Sequence, residues 1–495
     1  MRADKLGRKP WGSRSWLQAG FPAPVAAAAL AAGAALFAWF VFLVRGGLSS
    51  WFDADDLMNL YYYWSRPWSA LLKANLAFWS SYCRPAGGLF YLSIYALWGF
   101  HPLPFRIAAL ALLSINFALL ALVVWQLTRS KFSVSIALFL FGINPSFSSA
   151  YFDTGAIYDV LAYTFFWGAF SLYVRFRNKG RLPGWRGLAF VAGLFVAALE
   201  AKEISVLLPV ALALYELVWH PPANWRLAEL WRWTWHEGRF AFLGGLFDIA
   251  YIVGKRIGPD SLWRVEAYIP HYSAAAYFLS LANYLRGLIY KPVAITSWQV
   301  AGLLAAMLAV AAIGRRRCLL WGAGFIAVGV LPLAFIPTRG GYAYMVPSIG
   351  WAVYVTGLSG WLLESLAGRR VWLRRAAQAL LFAVLIVKVA PWQRKWIGMH
   401  ARAAHDMQGR YRLYIDQIHT LIPAPRKGAR ILLFSDAEGR DDYDVYFVIR
   451  LYYGDPKLEV QRMHVLRDYH VQPDLSSYDY VLDWVDNRFV LVSHK

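Results

Sequence analysis

Long apolar runs without a single charge recur along this chain, and they constrain its fold more than any other feature. The first, Pro24 to Val44, holds twenty-one residues. At about 1.5 Å rise per residue, a helix of that length spans a hydrocarbon core of about 30 Å. Similar runs follow nearly to Trp392. Only 16% of the residues are charged, against about 25% in a typical soluble domain. An ordinary soluble enzyme is therefore excluded, and an all-α polytopic membrane protein is expected. A cleavable secretory signal is not expected, because the apolar segments continue and no A-x-A site follows a short apolar core.

Spans are expected near 24–44, 106–127, 132–148, 155–175, 187–201, 204–219, 240–256, 297–313, 318–336, 342–363 and 376–391. The apolar segment 86–100 is shorter and opens Pro-Ala-Gly-Gly, which reads as a juxtamembrane or partial helix. The net charge of +21 is gathered in short segments between the runs. Arg2, Lys5, Arg8, Lys9 and Arg14 form one group, and Arg175, Arg177, Lys179, Arg181 and Arg186 a second. Arg315 to Arg317 form a third, and Arg369, Arg370, Arg374 and Arg375 a fourth. Basic loops stay cytoplasmic. The amino end is thus expected inside and the carboxyl end outside, with about eleven crossings. Segments 49–85, 201–203, 257–296 and 337–341 then lie outside. The charge is topological, and no nucleic-acid partner is expected. Cys83 and Cys318 are far apart and give neither a disulfide framework nor a cysteine-rich zinc site.

The pattern divides the chain into a transmembrane domain, 1–392, with an external loop at 49–85, and a small extracytoplasmic α/β domain, 393–495. In the latter, 393–421 reads as a helix, Ala429–Phe434 as a strand, Val445–Tyr452 as a helix and Leu458–His464 as a strand. Tyr480–Trp484 and Phe489–Val492 flank Asp486-Asn487 as a hairpin. The acidic residues Asp436, Glu438, Asp441, Asp442 and Asp444 lack EF-hand spacing and read as a solvated loop. Tyr277, Phe278, Tyr284, Arg286, Tyr290 and Lys291 mark an interfacial helix.

Chemistry concentrates just beyond the first span, in Trp51-Phe52-Asp53-Ala54-Asp55-Asp56, where three carboxylates fall within four residues. Mutual repulsion and partial desolvation raise carboxyl pKa values. A carboxylate so poised can serve as a general base or hold a divalent cation. The plainer readings are a solvated loop or an Asp-capped helix start. Arg84-Pro85 follows twenty-eight residues after Asp56, then Gly99 and Arg106 at the next helix. This order resembles the membrane-embedded GT-C glycosyltransferases, among them protein O-mannosyltransferases and the lipid A aminoarabinose transferases. Asp159, heading a helix that ends in basic residues, resembles a further external Asp of that family. Lys202-Glu203 resembles its Lys-Glu turn. Arg339-Gly-Gly-Tyr342-Ala-Tyr344-Met-Val-Pro347-Ser348 is similar to an element of TPR-containing O-mannosyltransferases, with an extra Gly pair after the Arg. The plain alternatives are an ion pair at a hairpin tip for Lys202-Glu203, a helix-terminus charge for Asp159, and headgroup snorkelling for Arg84 and Arg339.

The resemblance implies an inverting transfer of a sugar from a polyprenyl-phosphate donor, held in membrane lipid, to an extracytoplasmic glycan, lipid or protein acceptor. Asp55 is then the base, with Asp56 or Asp159 orienting it and Asp53 acting electrostatically. Arg84, Lys202 or Arg339 neutralises the leaving phosphate, and Glu203, Tyr342 and Tyr344 complete the substrate site. No cofactor is required, and a divalent cation is optional. The lack of eukaryotic targeting features points to a bacterial inner membrane as the expected location. A transporter or flippase for a lipid-linked glycan is the alternative, although it calls for an internal repeat and none is visible. A non-catalytic assembly subunit is a third reading.

Overall fold

The structure, a computed structural model, describes residues 23–74, 84–257, 266–289, 294–368, 370–439 and 442–494. The basic residues before 23, and Cys83, Tyr290, Lys291, Arg369 and Asp441, lie outside the described residues. Apolar runs become helices because a helix satisfies its own backbone hydrogen bonds where no water is available. Among the described residues five helices are long and apolar enough to cross a membrane: Ala31–Ser49, Pro102–Thr128, Ile157–Asn178, Ser297–Gly314 and Arg317–Ala334. Lys131–Gly142 and Pro145–Phe152, bent by 48°, make a sixth if they form one span. The chain is an integral membrane protein. The other expected spans fall on helices that are shorter or less apolar, including Trp185–Ala201, Leu208–Trp219, Arg239–Ile257 and Ser348–Ala367. Segment 86–100 is the 14-residue helix Pro85–Trp98.

The expected division at 392/393 falls inside a single helix, Val371–Leu421, of 51 residues. Gln393 shows why the helix continues. Its Nε2 donates to Phe139 O at 2.6 Å and to Ile143 O at 2.8 Å. The first carbonyl belongs to the π-helical turn Leu138–Gly142 and the second directly follows it, where the regular ladder opens. Trp39 Nε1 donates to Gln393 Oε1 at 3.1 Å. A buried polar side chain thus ties the long helix to two others, and the helix runs unbroken through the expected boundary.

The tail follows the predicted order closely. Strands β1 (Arg430–Leu433), β2 (Glu459–Arg462), β3 (Tyr480–Val485) and β4 (Arg488–His494) form one sheet in the order β2-β1-β3-β4. β1 is parallel to β2 and β3, and β3 is antiparallel to β4. Asp486 and Asn487, at φ 46° and 61°, make the left-handed two-residue turn that Asp and Asn tolerate. The acidic loop is not simply solvated: Asp436 is buried against Arg462, whose Nε donates to Oδ2 at 2.8 Å. The expected interfacial helix, Ala274–Ile289, turns Tyr284 inward, stacked on Tyr344 at 4.6 Å.

Candidate functional site

The acidic motif opens the helix Ala54–Trp64, and helical geometry gives its three carboxylates three tasks. Asp53 is the N-cap, accepting from Ala54 N at 2.8 Å, while Asp56 Oδ2 accepts from Asp53 N at 3.1 Å. This reciprocal capping box satisfies helix donors that would otherwise be orphaned. Asp56 is fully buried. It pairs with Arg106 NH2 at 2.9 Å and accepts from Thr154 Oγ1 at 2.5 Å. Asp55, one residue earlier and so about 100° away around the helix, is exposed. Among the described residues no hydrogen bond or ion pair holds its carboxylate. Its pKa is raised, first by partial burial, then by Asp56 and Asp444, against the lowering effect of Arg84 and Lys202.

Opposite Asp55 runs the turn Asp153-Thr154-Gly155. A Cβ on Gly155 would stand 2.6 Å from the Asp55 Cβ, so only glycine lets the turn lie this close. Asp153 Oδ1 accepts from Ala156 N at 3.1 Å. Burial, then Asp56 and Asp53, push its carboxyl well above the usual range.

Two crossed ion pairs form the far wall. Asp159, in the first turn of Ile157–Asn178, is buried against Lys202. Lys202 sits in extended backbone at φ −161° where Trp185–Ala201 breaks. Arg84 meets Glu203 in a forked contact, Nε at 3.2 Å and NH2 at 3.0 Å from Oε2. Burial alone would raise Glu203, but the Arg84 guanidinium holds it down at about 2. Arg84 has left-handed backbone, φ 55° and ψ 60°, just ahead of Pro85. Such a conformation costs about 1–3 kcal/mol and persists only where the surroundings impose it. Here Tyr63 Oη donates to Arg84 O at 3.0 Å, and the guanidinium lies 5.4 Å from the Tyr158 ring.

Tyr342 stands between the walls, its ring 5.5 Å from Lys202 Nζ. Its hydroxyl is pushed up to about 12, by burial first and then by Asp159, Asp55 and Asp153. Arg339 stacks on Tyr268 at 4.2 Å. Tyr344, expected at the site, packs into the core on Tyr284. The structure thus gathers Asp55, Asp56, Arg84, Asp159, Lys202, Glu203 and Tyr342, makes Asp53 a helix cap, and withdraws Tyr344. Sequence reasoning missed Asp153, Thr154, Gly155 and Tyr158; an Asp and a Gly in one short turn between apolar runs were the available signal. Among the described residues no three His, Cys, Asp or Glu side chains are grouped to hold a metal ion.

No protein-family model and no curated protein sequence matches the chain. Among solved structures, it is similar to the crystal structure of ArnT from Cupriavidus metallidurans bound to undecaprenyl phosphate. The identity is 15%, the match covers 94% of each chain, and the TM-score is 0.45.

Proposed function

We propose that the protein is an inverting glycosyltransferase of the GT-C type, moving a sugar from a polyprenyl-phosphate donor to an acceptor outside the cytoplasm. The observation that carries this reading is Asp55: an exposed carboxylate of raised pKa, set beside two cations and surrounded by carboxylates that already have partners. A base needs an accessible lone pair and a basicity above that of an ordinary Asp, and both are present. Asp55 takes the proton of an acceptor hydroxyl. The hydroxyl oxygen bonds to the anomeric carbon as the bond from that carbon to the phosphate oxygen breaks, and polyprenyl phosphate leaves from the opposite face with inversion. A guanidinium has five N–H donors and an ammonium three. Arg84 and Lys202 therefore have the capacity to meet a phosphate while keeping Glu203 and Asp159. Charge stabilisation of this kind in a water-poor pocket is usually the largest catalytic term. Arg339 serves the same phosphate; a divalent cation, were one used, would be held by Asp55 and would add positive charge against the phosphate.

This reading places the site and the tail on the outer side of a bacterial inner membrane. Purified protein incubated with radiolabelled polyprenyl-phosphate mannose, glucose or arabinose should consume one donor only when an acceptor is present. Donor left intact under every acceptor tried would sink the enzyme reading. A reporter fused after Lys495 checks the side: active alkaline phosphatase is expected, and a fluorescent cytoplasm-only reporter would overturn the placement.

A further inference from the structure

The tail helix Asp444–Tyr453 does not float beside the membrane domain; it lies along the acidic helix Ala54–Trp64. Tyr61 holds the contact, its ring 5.1 Å from Phe447 and its hydroxyl accepting from Arg450 NH1 at 2.5 Å. Tyr95 Oη, from the helix Pro85–Trp98, donates to Leu451 O at 3.0 Å. The amino end of the tail helix is pinned separately. Tyr411, on the long helix, donates its hydroxyl to Asp444 Oδ2 at 2.7 Å. One turn earlier, Gln408 Nε2 donates to Phe152 O at 3.0 Å. Phe152 directly precedes the Asp153-Thr154-Gly155 turn that lies against Asp55. The acidic helix, the 153–155 turn and the amino end of the tail helix therefore converge, with Asp444 at the start of the tail helix.

From this convergence we infer that Asp444 is a positioning residue for Asp55, so that the carboxyl-terminal domain forms one wall of the reaction site. The inference rests on Asp55 being the base. The charged groups facing Asp55 are Asp56 on its own helix, Asp444 from the tail, and Arg84 and Lys202 opposite, with Asp153 of the adjoining turn beside it. Asp444 is itself raised by burial and then lowered by the Tyr411 hydroxyl, with Asp442 raising it and Arg410 and Arg462 lowering it. An ionised Asp444 disfavours a second negative charge at Asp55, which makes Asp55 a stronger base. Without Asp444, Asp55 stays ionised to lower pH and takes protons less readily.

The test is Asp444→Asn in the full chain, read two ways. The acid limb of the pH dependence of kcat/KM should move to lower pH, with the KM for the donor unchanged. Carbodiimide reacts with protonated carboxyls, so labelling of Asp55 at about pH 6, followed by peptide mass spectrometry, should fall about threefold. This second readout needs no turnover. Tyr411→Phe, which removes the hydroxyl and lets Asp444 hold its proton longer, should move both readouts the same way by less. Should Asp444→Asn fail to accumulate, Tyr411→Phe decides alone. Unmoved limb and labelling, in protein whose transfer still depends on Asp55, would overturn the inference. Transfer that survives Asp55→Asn would instead overturn the catalytic reading beneath it.

Discussion

The helix Ile157–Asn178 carries a charge cluster at each end, about 27 Å apart at 1.5 Å per residue. At the carboxyl end Arg177 NH2 donates to Glu216 at 2.9 Å and also meets Glu237. Tyr173 Oη donates to the same Glu216 at 2.8 Å, and His220 Nδ1 lies 2.8 Å from it. Glu216 is fully buried, and several partners surround its carboxylate. At the amino end the carboxylates of Asp159, Glu203 and Asp56 are each matched by a cation, Lys202, Arg84 and Arg106 in turn. Asp55 beside them is not. A buried charge is costly unless paired and hydrogen-bonded, so a matched set is what folding alone requires. An accessible carboxylate left over at the edge of such a set has no structural duty there. The contrast separates a lock from a site more sharply than the number of charges does.

The strongest way to break this contrast is Asp55→Asn, which keeps size and removes proton acceptance. Turnover should fall about 10²–10⁴-fold, while donor binding and unfolding in detergent stay near wild type. Asp53→Asn, at the helix cap, should be milder in turnover. A dead Asp53 variant beside an active Asp55 variant would move the base two residues along.

At the other end the outcome should invert. Arg177→Met leaves Glu216 without its guanidinium, and breaking a buried pair costs about 3–5 kcal/mol. Denaturant unfolding in detergent should show that loss, with activity per folded molecule preserved. A stable but inactive Arg177→Met would shift the chemistry to this end of the helix.

A smaller effect is expected from Arg339→Ala. Loss of one charged hydrogen bond to the donor phosphate should weaken donor affinity by about 1.5–3 kcal/mol. Unchanged affinity in folded protein would remove Arg339 from the site.

The smallest concerns acid stability. Glu203 titrates near 4.5 when unfolded and about 2 when folded, because Arg84 favours its charged form. A depressed carboxyl pKa stabilises the fold at pH above the unfolded value and loses that contribution as pH falls through the folded one. The stability gap between wild type and Glu203→Gln should therefore be constant from pH 7 to about 4.5 and shrink below it. A gap independent of pH down to 3 would show that Arg84 and Glu203 are not coupled as the geometry has them.

The membrane class, the tail's strands and the residues of the acidic motif were legible in the sequence, because each depends on a local property. Apolar length decides whether a helix suits a bilayer, alternation marks a strand, and Asp486-Asn487 tolerates a left-handed turn wherever it stands. Even the capping role open to Asp53 follows from its place ahead of a helix. The family resemblance pointed to Asp55, but the residues themselves left open which carboxylate remains available, since Asp53, Asp55 and Asp56 are chemically alike and differ only in what surrounds them. That was settled by partners 50 and 98 residues away from Asp56, Arg106 and Thr154, and by a glycine turn that lets the chain lie against Asp55. Likewise Tyr344 shares a motif with Tyr342 yet belongs to the core, and Asp444 reads as loop acid until the tail helix is laid along Ala54–Trp64. Partnership and desolvation act through space over a few ångströms, so only the folded chain assigns them.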